Sequence, residues 1–358
     1  MAHGLASLIA TGTKAWLDSV DPGLVRTAQA AGATGATSNP VIISALIKTG
    51  RFDRPLQALI AAGQDDATIA WTLTDQLVTE AQAAFLDVWK KSGGDDGWVS
   101  FELDPLLEDP ENGLSEDDRV ERYVALGRKW SAGQCNRMIK VPATPAGIRA
   151  LEPLAAAGVP LNVTLIFTKP QYVRARDSVW RGAQRLPSLG AFKSVYSVFV
   201  SRIDVYVEQH VPDLSPPARG QLAVVNAKRV WAENAAFWRA HPTPLDQAIV
   251  FASTGVKQKG LDPCTYVAAL AGDGIQTNPP ETTAAASEPS RTFTRQVDRL
   301  PPAAVLAELD AKVDMPRLEE VLMREGVEKF TAPQKDLLAL IAARRAAAAG
   351  APAAGAAT

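Results

Sequence analysis

Residues 136–167 read NRMIKVPATPAGIRALEPLAAAGVPLNVTLIF. Two short apolar, β-branched runs, NRMIKVPAT (136–144) and LNVTLIF (161–167), flank a segment rich in Ala and Leu, GIRALEPLAAAG (147–158). Short runs bounded by turn residues read as strands, and the Ala-rich piece between them reads as a helix. A strand, a helix and a second strand in so short a span form a parallel βαβ unit with a right-handed crossover.

The pattern repeats outward in both directions. Before it lie TKAWLDS (13–19), GATGATSNP (32–40) and WVSFELD (98–104); after it lie SVYSVFVSR (194–202), AIVFAST (248–254) and DGIQTNPP (273–280). Helix-like stretches separate most of them: the Ala-rich segment from Trp71 to Lys91, QYVRARDSVWRGAQ (171–184) and NAKRVWAENAAFWRA (226–240). In the last, Ala227, Trp231, Ala235 and Trp238 fall on one face at helical spacing. Eight such strands predict an α/β fold, a (β/α)8 TIM barrel over residues 1–285. A doubly wound open sheet is the runner-up, and it lacks a GxGxxG turn after its first strand. Beyond the barrel, SEPSRTFTRQVDRLPP (287–302) reads as a connector within a C-terminal helical segment, 286–345. AAAAGAPAAGAAT (346–358) reads as a disordered low-complexity tail.

Bulk properties remove several classes of function. The chain has 358 residues, 47% hydrophobic and 21% charged, with a formal net charge of −2. That balance gives no long-range attraction to nucleic acid or to an anionic membrane. No run approaches a membrane span, and the first residues do not form a secretory signal. The two cysteines, Cys135 and Cys264, lie far apart with no CxxC partner, which fits a reducing cytoplasm. Of three histidines, His3 is terminal, and His210 (HVPD) and His241 (HPTP) read as loop residues. A Ser-His-Asp triad or a His-rich metal site is therefore disfavoured, and no metal or organic cofactor is expected. The chemistry falls to lysine, carboxylates, hydroxyls and amides.

In a barrel of this kind, side chains at the C-terminal ends of the strands line the site. Asp18, Asn39, Glu102, Lys140, Asn162, Thr164, Ser197, Arg202 and Ser253 stand there. Lys140 is the most informative, because an ammonium in an apolar strand costs several kcal/mol unless paired or neutralised. Read structurally, it snorkels from a strand edge. Read functionally, it is an amine made nucleophilic toward a ketone by burial. Asp18 is either a helix N-cap near Pro22 or, with Glu102, an acid/base for Schiff-base proton transfers. Asn39 and Asn162 either hold substrate hydroxyls or satisfy a turn and the backbone. Ser197, Arg202 and Ser253 suggest an anion site, with a surface ion pair as the alternative for Arg202.

At this point ATSNP (36–40), MIKVPAT with GI after it (138–148), NVTLIF (162–167), SVFVSRID (197–204) and FASTGVK (251–257) resemble the transaldolase family in order and spacing. The last motif points to its longer-chain branch. The resemblance covers roughly residues 10–285. It implies a cofactor-free transferase of the pentose phosphate pathway that moves a dihydroxyacetone unit between a ketose phosphate and an aldose phosphate. The implied substrates are sedoheptulose 7-phosphate, fructose 6-phosphate, glyceraldehyde 3-phosphate and erythrose 4-phosphate. By the same resemblance Lys140 forms the imine, Asp18 is the acid/base for C–C cleavage, and Glu102 and Thr164 hold a catalytic water. Asn39 and Asn162 bind the dihydroxyacetone hydroxyls, Ser197 contacts substrate, Arg202 grips phosphate, and Ser253 and Lys257 join that site.

Three motifs depart from the family pattern. Val198 and Ser201 replace the proline and glycine of SPFVGR, Gly255 stands where an arginine is common, and Asn278 stands where an apolar residue is common. Lys257 is the cation nearest the missing arginine. A Schiff-base aldolase releasing the three-carbon unit, a transaldolase-like enzyme with an altered sugar substrate, and a non-catalytic sugar-phosphate-binding barrel are the alternatives. Oligomeric state and the role of the C-terminal helices are left open by the sequence.

Overall fold

The computed structural model describes residues 3–350. Eight parallel strands close into a barrel in chain order: β1 (Thr13–Leu17), β2 (Gly35–Thr37), β3 (Val99–Glu102), β4 (Arg137–Pro142), β5 (Leu161–Ile166), β6 (Ser194–Phe199), β7 (Ala248–Ala252) and β8 (Gly274–Asn278). Closure is made by β1 on β8, with Thr13 opposite Gly274 and Leu17 opposite Asn278. Every expected strand is present.

Helix α1 (Leu5–Ile9) precedes the barrel, and α2 (Pro22–Ala30) follows β1. Between β2 and β3 run α3 (Pro40–Lys48), α4 (Asp53–Ala61) and α5 (Asp66–Lys91). Two 3-10 turns (Pro105–Glu108 and Pro110–Asn112) and α6 (Glu116–Ser131) lead to β4. The remaining barrel helices are α7 (Pro145–Ala156), α8 (Lys169–Ala183), α9 (Ser201–His210), α10 (Leu222–Ala240), α11 (Thr265–Ala269) and α12 (Pro280–Ala286). After the connector come α13 (Ala303–Lys312) and the long α14 (Met315–Gly350).

Local sequence explains where these helices begin. Asn39, Thr144 and Thr168 leave their strands extended, and their side chains accept from the N–H groups of Ile42, Gly147 and Gln171. Such caps satisfy donors that have no partner in the first turn, and a proline just inside each helix gives up none. The helix after β1 is capped by Asp21, which accepts from Gly23 and Leu24. Asp18 is thereby freed from the capping role. His210 closes α9 and His241 is the C-cap of α10, so both end helices rather than lie in loops.

Side chains two apart share one face of a strand. Inside the barrel, Trp16, Trp98, Met138, Val195, Val250 and Ile275 form a closed apolar floor. One step up each strand from Trp16 and Met138 stand Asp18 and Lys140. Outward residues such as Ile139, Val141 and Val163 pack with Leu151, Leu154 and Tyr172 in the main core.

Below the floor, Lys14 and the buried Lys193 pair with Asp95 at 2.6 and 2.8 Å. Burial works against ionisation of Asp95, but the two ammonium groups hold its carboxyl down at about 2. On α10, Ala227 and Trp238 are buried as the helical spacing predicts, whereas Trp231 and Ala235 stay part-exposed at the groove over Asp273.

Helix α14 packs on α3, α4, α5, α9 and the first 3-10 turn, so it crosses the face where the strands end. The Ala-rich stretch expected to be a tail from residue 346 begins inside this helix, and 351–358 lie outside the described residues. Ion pairs fasten α14 along its length: Glu319 to Arg174, Lys335 to Asp109, and Arg345 to Asp66. No helix of the described residues is long and apolar enough to cross a membrane.

Candidate active site

A cavity of about 440 Å³ opens at the C-terminal ends of the strands, and Lys140 stands in its wall. The side chain is 5% exposed, with Nζ 3.0 Å from Glu102 Oε2. It donates to the Ser38 carbonyl at 3.0 Å, and the Phe330 ring lies 5.7 Å away. The snorkelling alternative is excluded, since the amine points into the barrel.

Asp18, Thr37, Asn39, Thr164, Ser197, Arg202, Ser253 and Lys257 share this cavity with Lys140. Asp18 is half-buried and lines the cavity. Its carboxylate accepts from Thr37 Oγ1 at 2.8 Å, and Thr37 is linked to Thr277 at 2.7 Å. Burial pushes the Asp18 carboxyl above the ordinary aspartate range, while Lys140 and the Thr37 hydrogen bond pull it down less strongly. Burial likewise raises Glu102, against the opposing charge of Lys140. Two carboxyls near one amine, both biased toward holding a proton, suit a site that moves protons in both directions.

Asn39 serves twice, capping α3 through Oδ1 while facing the cavity. Asn162 is set deeper. Its amide donates to Ser100 Oγ at 2.8 Å and its oxygen accepts from Ser197 Oγ at 2.7 Å, so Ser197 rather than Asn162 lies on the cavity wall. Those partners are side chains, not the backbone groups that a packing role would predict. Thr164 Oγ1 is buried with no hydrogen-bond partner. Glu102 lies behind Lys140, bordering a separate small space.

At the far end, Arg202 lies against Phe199 and Phe330, its guanidinium 5.1 and 6.0 Å from the two rings. Its Nη1 is buried without a partner. Burial lowers its pKa, against the charges of Glu325 and Glu102. Ser201, where the family pattern has glycine, donates its N–H to the Ser253 carbonyl at 3.0 Å, and the two hydroxyls meet at 3.0 Å. Ser253 itself is held at φ 53, a strained left-handed conformation for a non-glycine residue. Gly255 leaves room beside it: a Cβ there would stand 3.9 Å from Lys257 Nζ. Asn278 accepts from Thr254 Oγ1 at 2.6 Å and ties the ends of β7 and β8 together.

The sequence reading missed the Thr37–Thr277 link and the whole contribution of α14. Thr37 was findable, standing two residues before Asn39 on the same strand face. Gly326, Phe330 and Gln334 recur at every fourth position, so a single helical stripe was visible. Its landing point over the site was not.

The geometry above belongs with a known family. The model for transaldolase/fructose-6-phosphate aldolase matches residues 15–341. The chain belongs to that family. It is 32% identical to a transaldolase of Thermobifida fusca, over 97% of this chain and 100% of that one. It is 31% identical to the transaldolases of a Parafrankia species, over 94% and 97%, and of Mycobacterium tuberculosis, over 93% and 95%. The match runs from β1 into α14, so the roof helix falls within it as the barrel does. Among the described residues, no three His, Cys, Asp or Glu side chains are grouped to hold a metal ion.

Proposed function

We propose that the chain is a cytoplasmic transaldolase working through an imine on Lys140. The observation that carries this reading is the buried Lys140 amine at the cavity wall, 3.0 Å from Glu102 and facing the cavity it shares with Asp18. The donor is a ketose phosphate such as sedoheptulose 7-phosphate or fructose 6-phosphate. The acceptor is an aldose phosphate such as erythrose 4-phosphate or glyceraldehyde 3-phosphate.

Lys140 Nζ adds to the ketone carbon, and the resulting carbinolamine expels water to give the imine. Glu102 accepts the ammonium's proton and returns one to the departing hydroxyl, with Thr164 helping to hold the water. Asp18 then takes the proton of the C4 hydroxyl, the C3–C4 bond breaks, and an aldose phosphate leaves. The remaining three-carbon enamine attacks the aldehyde carbon of the acceptor. Asp18 gives its proton to the new alkoxide, and water releases the longer ketose. Asn39 and Ser197, backed by Asn162, hold the dihydroxyacetone hydroxyls. Arg202, Ser253 and Lys257 take the terminal phosphate, with the lysine supplying a point charge where an arginine would supply a fork.

Borohydride reduction in the presence of fructose 6-phosphate, followed by peptide mass spectrometry, tests the reading. A three-carbon adduct is expected on the peptide carrying Lys140, and none in Lys140→Ala. Appreciable transfer by Lys140→Ala would overturn it. Rapid release of free dihydroxyacetone without an acceptor would instead identify an aldolase.

A further inference from the structure

Behind Lys140 lies a small space with room for one water, about 10 Å³. Ser38, Asn39, Thr74, Glu102 and Gln334 supply its polar wall. Glu102 Oε2 is paired with Lys140 by charge but is buried with no hydrogen bond of good geometry. Gln334, on α14, is 5% exposed. Its amide makes none of the side-chain hydrogen bonds found among the described residues. Glu102, whose Oε2 is buried without a hydrogen-bond partner, and Gln334, whose amide has free hydrogen-bonding capacity, therefore border one small space. Thr74 and Asn39 each keep capacity for a further bond, since Thr74 donates to the Ala70 carbonyl and Asn39 spends only its oxygen on Ile42. A water with two to four such neighbours is the ordinary solution. Thr164 borders the other cavity, so this water is distinct from one held between Glu102 and Thr164.

We propose that Gln334 is a positioning residue, its amide holding one water against Glu102 Oε2 so that the C-terminal helix orients the carboxylate serving Lys140. The inference rests on the imine reading above. A donated hydrogen bond favours the charged form of a carboxylate. Removing it therefore biases Glu102 further toward its protonated form and moves the acid limb of the rate profile to higher pH.

The test uses the full-length chain with Gln334→Met, nearly isosteric and compatible with a helix, beside Lys335→Met. Lys335 points the other way and pairs with Asp109 at 2.6 Å, so its loss loosens the helix without touching this space. Wild-type trapping at Lys140 is measured first; no adduct there overturns the imine reading and this inference with it. With the adduct in hand, Gln334→Met is expected to lower kcat about tenfold at unchanged KM, the size of one charge-assisted hydrogen bond. Its acid limb is expected to rise by about one pH unit, while Lys335→Met lowers Tm and leaves the limb in place. An unmoved limb in Gln334→Met, or an equal movement in both variants, overturns the positioning role and leaves the imine reading standing.

Discussion

Glu102 and Lys140 are register partners across β3 and β4, and their side-chain ends meet at 3.0 Å with each 5% exposed. Neighbouring positions on parallel strands, pointing the same way, bring an acid and an amine together without any loop having to be ordered. The pair is thus built into the barrel's hydrogen-bond register. A one-residue slip between these strands would turn one of the two groups outward.

Breaking that pair from the lysine side leaves a buried carboxyl. Lys140→Met is expected to be less stable than the parent, with a deficit that grows as pH rises. Burial already raises Glu102, so ionising it in the folded state costs more than in the unfolded chain, and the cost accrues above the ordinary glutamate range. Lys140→Met combined with Glu102→Gln should recover most of the loss and flatten the dependence. Urea unfolding at pH 5 and pH 8 reads both.

Asp18→Asn is expected to abolish transfer yet raise Tm. Its carboxyl is raised by burial, so the folded state holds that proton to a higher pH than the unfolded state does. The ionisation penalty is absent below the ordinary aspartate value and complete above the raised one. The gain from Asp18→Asn should therefore be largest at pH 8 and fade as the medium is acidified, as calorimetry across that range would show. A lower Tm at pH 8 would contradict it.

Arg202 carries a buried Nη1 with no hydrogen-bond partner, which suits it to the anion grip proposed for it. Arg202→Met should raise Tm modestly and raise KM for phosphorylated donors by about a hundredfold, the order of a charge-assisted contact. Inorganic phosphate should raise the Tm of the parent and not that of the variant. Equal stabilisation of both by phosphate would place the anion elsewhere.

Asp95 is the counterpart at the opposite end of the barrel. Held at about 2 by Lys193 and Lys14 against the penalty of burial, it adds stability that is present above the ordinary aspartate value and lost as pH falls through about 2. Asp95→Asn is expected to cost on the order of 2 kcal/mol at pH 7, since each tenfold gain in acidity on folding corresponds to about 1.36 kcal/mol. Because the floor of Trp16, Trp98 and Met138 separates it from the cavity, KM should not move. A changed KM would show that floor and mouth are coupled.

The strands were legible because each pairs an apolar run with turn residues, and the site was legible because polar side chains in such runs need a reason. Lys140, Asp18, Thr164, Ser197, Arg202, Ser253 and Lys257 do meet in one cavity. What could not be read was depth. Asn162 and Asn39 carry the same amide, yet one is locked between Ser100 and Ser197 and the other borders open space. That difference comes from strand register and from how far each strand runs before its helix. The placement of α14 was out of reach for another reason: its apolar stripe states that it packs, and the surface it covers is set by tertiary contacts far away in sequence.

The order of synthesis gives α14 a further meaning. All eight strands and the closing pair of β1 with β8 precede it in the chain, so the residues of the floor, the amine and both acids are synthesised before Phe330 and Gln334. Helix α14 packs on surfaces contributed by α3, α5 and α9, all earlier in the chain. A chain ended before α14 would therefore carry the amine and both acids but leave the mouth without Phe330 and Gln334 beside it.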